Sequence, residues 1–380
     1  WVNVEFKLIP LQKVNGICRF HLSKVHPYLE LYVTPVNIDP SKPILPISTP
    51  AEYSSDLAAE LGYFFTLGMP EDTKALDHGS LDEDSFLEQA DSILEERLKM
   101  LNLELKKFNS GVLFVYFSTT DPVQHMFWRY IDEKHPLYNA GEASRYSDVI
   151  RQTYIKMDAI LGDVMKKIDG KTTVIVLSDH GFGSFRRYFH LNTWLKENGY
   201  LFLRDKNRDE SGEFFENVDF QKTRAYALGF NALYINLKGR EGEGIVPPAE
   251  KEKVVKELIT KLEQIKDPET GLTAINKMYR REEIYSGKYL EESPDLLVGY
   301  NAGYCASWET SLGKVPKGLF GDNKMKWSGN HLWDYKLVPG IILSNRKIKK
   351  DNPALYDVAP SILTEFGIKP DEEMVGKQIF

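Results

Sequence analysis

Residues 172–183 read TTVIVLSDHGFG, and the rest of the chain takes its meaning from this stretch. The run Val174 to Leu177 is apolar and mostly β-branched, and it stops abruptly at Ser178-Asp179-His180-Gly181. A short continuous apolar run of this kind predicts a buried parallel strand. In open α/β sheets, chemistry gathers just beyond the carboxyl ends of such strands. An Asp and a His side by side there offer a hard oxygen and a borderline nitrogen, a donor pair suited to a divalent metal. The same two residues would equally serve as a helix N-cap beside a surface histidine. The surrounding chain has to decide.

Immediately upstream, residues 145–168 predict a helix with Ile150, Tyr154, Met157, Leu161, Met165 and Ile168 as its apolar stripe. Before that, the run 111–118 (GVLFVYFS) predicts a second buried strand, ending at Thr119-Thr120-Asp121-Pro122-Val123-Gln124-His125. Ser80-Leu81-Asp82-Glu83 reads as a capping box for a long helix from about 82 to 108, with Phe86, Ala90, Ile93, Leu94, Leu98, Leu101 and Leu105 inward. Residues 1–36 alternate, first with Val2, Val4, Phe6 and Leu8 against Asn3, Glu5 and Lys7, which predicts an antiparallel meander. Pro35 to Pro50 reads as an irregular connection.

Downstream, a helical segment from His190 to Asn198 closes at Gly199, and residues 224–237 predict a strand pair. Residues 250–266 form a charged amphipathic helix, 295–300 and 338–343 are apolar strands, and 357–366 is a last helix. Strands alternating with helices predict an α/β sandwich with a mostly parallel sheet. Two regions follow: a β-rich segment at 1–80 and an α/β domain at 81–380, with 200–290 as an inserted, cap-like stretch.

The 380 residues carry a formal charge of −7, which disfavours nucleic acid or an anionic membrane as partner. No run of eighteen apolar residues is present, so no spanning helix is expected. The absence of a secretory signal makes a cytoplasmic location the expectation. Cys18 and Cys305 are far apart in apolar surroundings and read as small buried hydrophobes.

Three separated pieces carry candidate ligands: Asp121-x-x-x-His125, Asp179-His180, and Gly329-Asn330-His331 in a Gly-containing loop. Together they supply two Asp and three His, all predicted at the same edge of one sheet. That is the ligand set of a two-metal hydrolytic site short of one carboxylate. Arg186 and Arg187 follow the Asp-His loop and are candidates for phosphate oxygens, or are plain surface charges. Trp327 and Asn330 flank His331, either to orient it or to meet a leaving group, and Trp327 would equally serve as a core anchor.

These residues resemble the alkaline phosphatase superfamily and, within it, the type I phosphodiesterase/nucleotide pyrophosphatase family. The resemblance covers about residues 110 to 380, including Asp357-Val-Ala-Pro360 onward, which is similar to the family's last helix. It implies an alkaline-phosphatase-like sandwich and hydrolysis of a phosphodiester or nucleotide pyrophosphate through a Thr or Ser phospho-enzyme. It assigns one metal to Asp121, His125 and His331, a full protein set. A second goes to Asp179, His180 and an Asp this chain does not show. Zn²⁺ is the expected ion, with Mn²⁺ second, and the partner a phosphate-ester small molecule such as a nucleotide.

The family's first strand, with its Asp ligand and nucleophile loop, has no counterpart here. The chain opens on Trp1, and the expectation is that the nucleophile lies upstream of it. Within the chain the candidate is Thr49, beside Ser48 in a Pro-rich loop. Two alternatives remain. One is another branch of the superfamily, such as a sulfatase, phosphonate hydrolase or phosphomutase; neither cysteine sits in the Cys-x-Pro-x-Arg context a sulfatase needs. The other is a catalytically degenerate metal-binding protein.

Overall fold

Alternation at the start of the chain folds back on itself. In the computed structural model, Val2–Ile9 pairs antiparallel with Gln12–Cys18, from Val2 opposite Cys18 to Lys7 opposite Lys13, and Asn37–Ile38 adds a third strand. Phe20–Lys24 and Glu30–Val33 form a separate two-stranded hairpin. The structure describes residues 1–9, 12–205 and 207–380; the end of the first alternating run, from the Leu8 side chain to Pro10, falls outside the described residues. The chain divides into two compact units, one of residues 1–133, 137–168 and 325–328, the other of 134–136, 169–324 and 329–380.

In the first unit the long helix is Glu83–Lys107. Its cap is Asp82, whose carboxylate accepts the Ser85 amide at 2.8 Å, rather than Ser80 as the capping-box pattern suggested. Asp82 is the residue with extended backbone, and Glu83 and Asp84 in the first turn with Lys106 and Lys107 in the last complement the helix dipole. Phe86, Ala90, Val123, Met126, Phe127, Tyr130, Tyr146 and Ile150 form the adjoining core. The helix Val149–Lys167 is present, but of the expected stripe Ile150 is buried while Tyr154 and Met165 are exposed. Helical spacing tells which residues share a face and leaves open what covers it.

Residues 111–118 depart further from expectation. They join no ladder among the described residues, and Val112, Phe114 and Tyr116 are 58%, 76% and 66% exposed. An apolar run specifies a wish for burial; the hydrogen bonds that make it a strand come from a neighbour.

The second unit is built on an antiparallel sheet in which Leu296–Tyr300 lies between Ile275–Arg280 and Ala232–Ile235, with Ala225–Ala227 outside. Val254, Val255, Leu258 and Leu262 on the helix Pro248–Leu262 are buried in the same core. Here the predicted strand pair and amphipathic helix both stand. A second sheet centres on Gly183–Phe189, flanked by Gly303–Ala306 in parallel and Phe320–Asp322 antiparallel. Ile175–Leu177, expected to be parallel and buried, pairs antiparallel with Ile342–Ser344 and is half-buried. Apolar composition carries no information on strand direction. Both cysteines are buried and free, as read. The α/β class holds, and among the described residues no helix is long and apolar enough to cross a membrane.

The Asp295 side chain is fully buried at the centre of the second unit, accepting from Arg240 at 2.6 Å, Lys251 at 2.8 Å and the Ile235 amide at 2.7 Å. Burial pushes its carboxyl up, but the bonds from Arg240 and Lys251 outweigh burial and hold it below the ordinary carboxylate value. With the folded value below the unfolded one, this contribution is present above the unfolded pKa and lost as pH falls through the folded one. Asp295→Ala should therefore lower stability by about 3 kcal/mol near neutral pH, because it strands two cations, and the gap to wild type should narrow in acid, as read by urea unfolding.

Candidate functional site

Each unit carries its own group of candidate ligands. In the first, Asp121 and His125 lie on the helix Thr120–Phe127 four residues apart, hence on one face. His125 Nε2 is 3.5 Å from Asp121 Oδ2; the imidazole is buried and the carboxylate about a third exposed. The Trp327 ring stacks on the His125 ring with centroids 3.6 Å apart. The next residue, Ser328, donates to the His125 carbonyl from its amide (2.7 Å) and from its hydroxyl (3.1 Å), and accepts the Arg129 amide at 3.0 Å. Arg129 is buried and donates to the Lys326 carbonyl at 3.0 Å, to Glu83 at 2.7 Å, to the Tyr130 hydroxyl at 2.8 Å and to the Met126 carbonyl. The segment 325–328 is thus sewn onto the back of the Asp121–His125 helix. Sequence reasoning flagged Trp327 but missed Ser328 and Arg129, whose only signal was a polar or charged residue in an aromatic setting.

In the second unit, Asp179 and His180 leave the end of Ile175–Leu177. The Ser178 amide donates to the Ile341 carbonyl at 3.0 Å and the Gly181 amide to Val338 at 2.8 Å, so the loop lies flat against 338–341. A Cβ on Gly181 would sit 2.5 Å from the Pro339 carbonyl oxygen, one on Gly340 2.7 Å from that of Ser178, and one on Gly183 2.0 Å from the Trp333 ring. The glycines of DHGFG are therefore required by close approach of backbone and ring.

His180 Nε2 lies 3.4 Å from Asp179 Oδ2. Its Nδ1 is 3.0 Å from the Gly181 carbonyl, which can only accept, so Nδ1 is the donor and in the neutral ring the lone pair falls on Nε2. The His331 ring stacks on the His180 ring at 3.6 Å with 10° between planes, and Phe182 borders both. What brings His331 there is a short ladder, Gly329 opposite Ser184 and Asn330 opposite Gly183. Asn330 is buried, and its Oδ1 accepts the His331 amide at 2.8 Å and the Leu332 amide at 3.2 Å, fixing the turn. Beyond it, Asp334 is anchored by the Tyr279 hydroxyl at 2.9 Å and Asn276 at 2.7 Å. Burial, then the neighbouring His180, lowers the His331 pKa to about 4 against the opposing pull of Asp179, so the imidazole stays neutral and able to ligate.

Imidazole nitrogen and carboxylate oxygen on a tetrahedral ion, at about 2.0–2.1 Å each, are about 3.3–3.4 Å apart. Both Asp–His pairs stand at close to that separation, and the His180 tautomer is the one a metal needs, so the donors fit a divalent cation. The ligands do not share one sheet edge: Asp179 and His180 leave one sheet, His331 another, and Asp121 follows a segment in no ladder among the described residues. Arg187, considered for phosphate, is instead buried among Asp267, Glu269 and Asp322, with Asp267 at 2.5 Å from Nε and Glu269 at 2.7 Å from Nη1. Arg186 is half-buried beside it, its carbonyl taken by the Asn323 amide. Thr49 is exposed in the turn before Tyr53–Leu61, next to Ser48, whose hydroxyl accepts the Ser54 amide at 3.0 Å.

The family described as type I phosphodiesterase/nucleotide pyrophosphatase matches residues 32–323, beginning well ahead of residue 110, where the resemblance had been placed, and ending short of His331. Among solved structures, human ectonucleotide pyrophosphatase/phosphodiesterase 5 is similar at 14% identity and a TM-score of 0.28, over 70% of this chain and 62% of that one. The chain thus spans less than two thirds of that protein's length. No curated protein matches the chain.

Two outcomes test the geometry. Gly183→Ala should destabilise by about 2–3 kcal/mol through its clash with Trp333, whereas Gly162→Ala, in an open helical position, should stabilise by about 0.5–1 kcal/mol; urea unfolding reads both. In the metal-free protein, His180→Ala should raise the His331 pKa from about 4 toward 6.5, because it removes both burial and a like-charged neighbour. NMR titration of the imidazole reports this directly. Since the folded value is the lower one, His331 costs the wild type stability as pH falls from about 6.5 to 4, and the variant should lose less in that window.

Proposed function

Because this chain belongs to the type I phosphodiesterase/nucleotide pyrophosphatase family, we propose that it is a metal-dependent hydrolase acting on phosphodiester or nucleotide pyrophosphate bonds. What supports this reading most is the pair of Asp–His donor sets, each with oxygen and nitrogen 3.4–3.5 Å apart. In this reading Asp121, His125 and His331 hold one cation, and Asp179 and His180 hold part of a second site completed by a further carboxylate. His331 follows Ser328, the residue that grips the His125 carbonyl, by three positions in the chain. Zinc suits the donors best and manganese next. When bound, such cations neutralise phosphate charge and lower the pKa of a nearby hydroxyl or water.

The protein's own residues then have distinct tasks. Gly181 keeps the His180 lone pair available; Asn330 holds the His331 backbone in its turn; Trp327 covers the His125 ring, and Phe182 borders those of His180 and His331. Arg186 is the candidate for a phosphate oxygen. The nucleophile is a Thr or Ser, with Thr49 the candidate inside the chain, and the substrate is a phosphate-ester small molecule such as a nucleotide.

Elemental analysis beside intact mass, and hydrolysis of bis(p-nitrophenyl) phosphate, test the proposal. We expect zinc to co-purify, a chelator to abolish hydrolysis, and His125→Ala or His180→Ala each to lower kcat more than about 100-fold, beyond the usual loss for an outer-shell change. Hydrolysis that survives chelation, or prefers a sulfate monoester, would reject it.

A further inference from the structure

Behind the helix that carries Asp121 and His125 stands a carboxylate that plays no part in the ligand sets. Glu71 is 1% exposed. Its Oε1 accepts the Thr119 hydroxyl at 2.9 Å, and the Ser118 hydroxyl lies 3.2 and 3.3 Å from its two oxygens. The carbonyls of the same two residues begin the helix: Ser118 accepts the Asp121 amide at 2.9 Å and Thr119 accepts the Val123 amide at 3.3 Å. One buried side chain therefore grips both residues from which the helix hangs.

Two features make this more than filling of space. Thr119 occupies the N-cap position, where its hydroxyl would ordinarily bond an amide of its own helix, yet it makes no such bond and donates to Glu71 instead. Burial also pushes the Glu71 carboxyl up, against the opposing pull of Thr119, Ser118 and Arg97. An amide or an apolar side chain would occupy the position with less desolvation. Local stability has been given up twice at one point, the pattern expected where a supporting shell aims a functional group.

We propose that Glu71 is a positioning residue, acting through Ser118 and Thr119 to set the direction in which Asp121 presents its carboxylate to the metal. The inference rests on the function proposed above. Its test compares wild type with Glu71→Ala, Glu71→Gln, Thr119→Val and the Ala/Val double variant in zinc titration, bis(p-nitrophenyl) phosphate kinetics and thermal unfolding. Glu71→Ala should weaken zinc binding or lower kcat by about 10–100-fold with KM little changed. Thr119→Val should give part of that loss, and the double variant little more than Glu71→Ala alone, since the Thr119–Glu71 bond is common to both. Glu71→Gln, which keeps an acceptor, should recover most of the loss and guards against a variant that does not fold. A purely structural role would lower the thermal midpoint but leave zinc affinity of the folded protein unchanged; that result, or strictly additive losses, overturns the proposal. If wild type neither binds zinc nor cleaves the ester, the functional reading fails and the proposal falls with it; a wild type that binds zinc beside a Glu71→Ala variant of equal zinc affinity and kcat overturns the proposal alone.

Discussion

The carbonyl of Gly181 is the constraint on which the Asp179–His180 group depends. By accepting the proton of His180 Nδ1 it fixes the tautomer, and it does so only while the loop lies against 338–341. That contact requires Gly181 and Gly340 to lack side chains, and Trp333 requires the same of Gly183. The ladder of Gly329 and Asn330 on Ser184 and Gly183 then delivers His331 onto the His180 ring. A motif that reads as two ligands and spacer glycines is a single mechanical unit. Its glycines decide which nitrogen faces outward.

Charge is handled differently away from the ligands. Arg187 sits among three carboxylates, Asp295 takes two cations and an amide, and Arg129 binds Glu83, Tyr130 and two carbonyls. Each such hub includes an opposite charge from a distant part of the chain, Asp267 for Arg187, Arg240 for Asp295 and Glu83 for Arg129, which is how a buried ion escapes its desolvation cost. The ligand histidines instead meet rings within their own units: Trp327 stacks on His125, and Phe182 borders His180 and His331. Aromatic faces desolvate an imidazole without offering it a competing acid.

Much of this was legible in the sequence because it is local. The Asp-His pair, the i, i+4 spacing of Asp121 and His125, the helix Glu83–Lys107 and the strand pair at 225–235 follow from periodicity and neighbouring residue types. The failures share one cause: they depend on what lies across from a residue. Tyr154 and Met165 share a face with Ile150, and nothing in the stripe says that they stay exposed. The run Ile175–Leu177 gives no direction for its pairing, and Arg187 beside Arg186 gives no hint that one of the two is locked in a buried network. Asp82 rather than Ser80 caps its helix because backbone dihedrals decide, and two adjacent candidates offered the same chemistry.

The apolar segment 112–117 has a consequence for the protein as a solute. Its sequence, VLFVYF, combines high β-propensity with no charge and no proline, and it stands outside any ladder among the described residues. Such a stretch is a template for strand addition between molecules. The liability lies in six residues directly ahead of the Ser118–Thr119 junction. The segment that leads into the Asp121 helix is also one open to pairing with a second molecule.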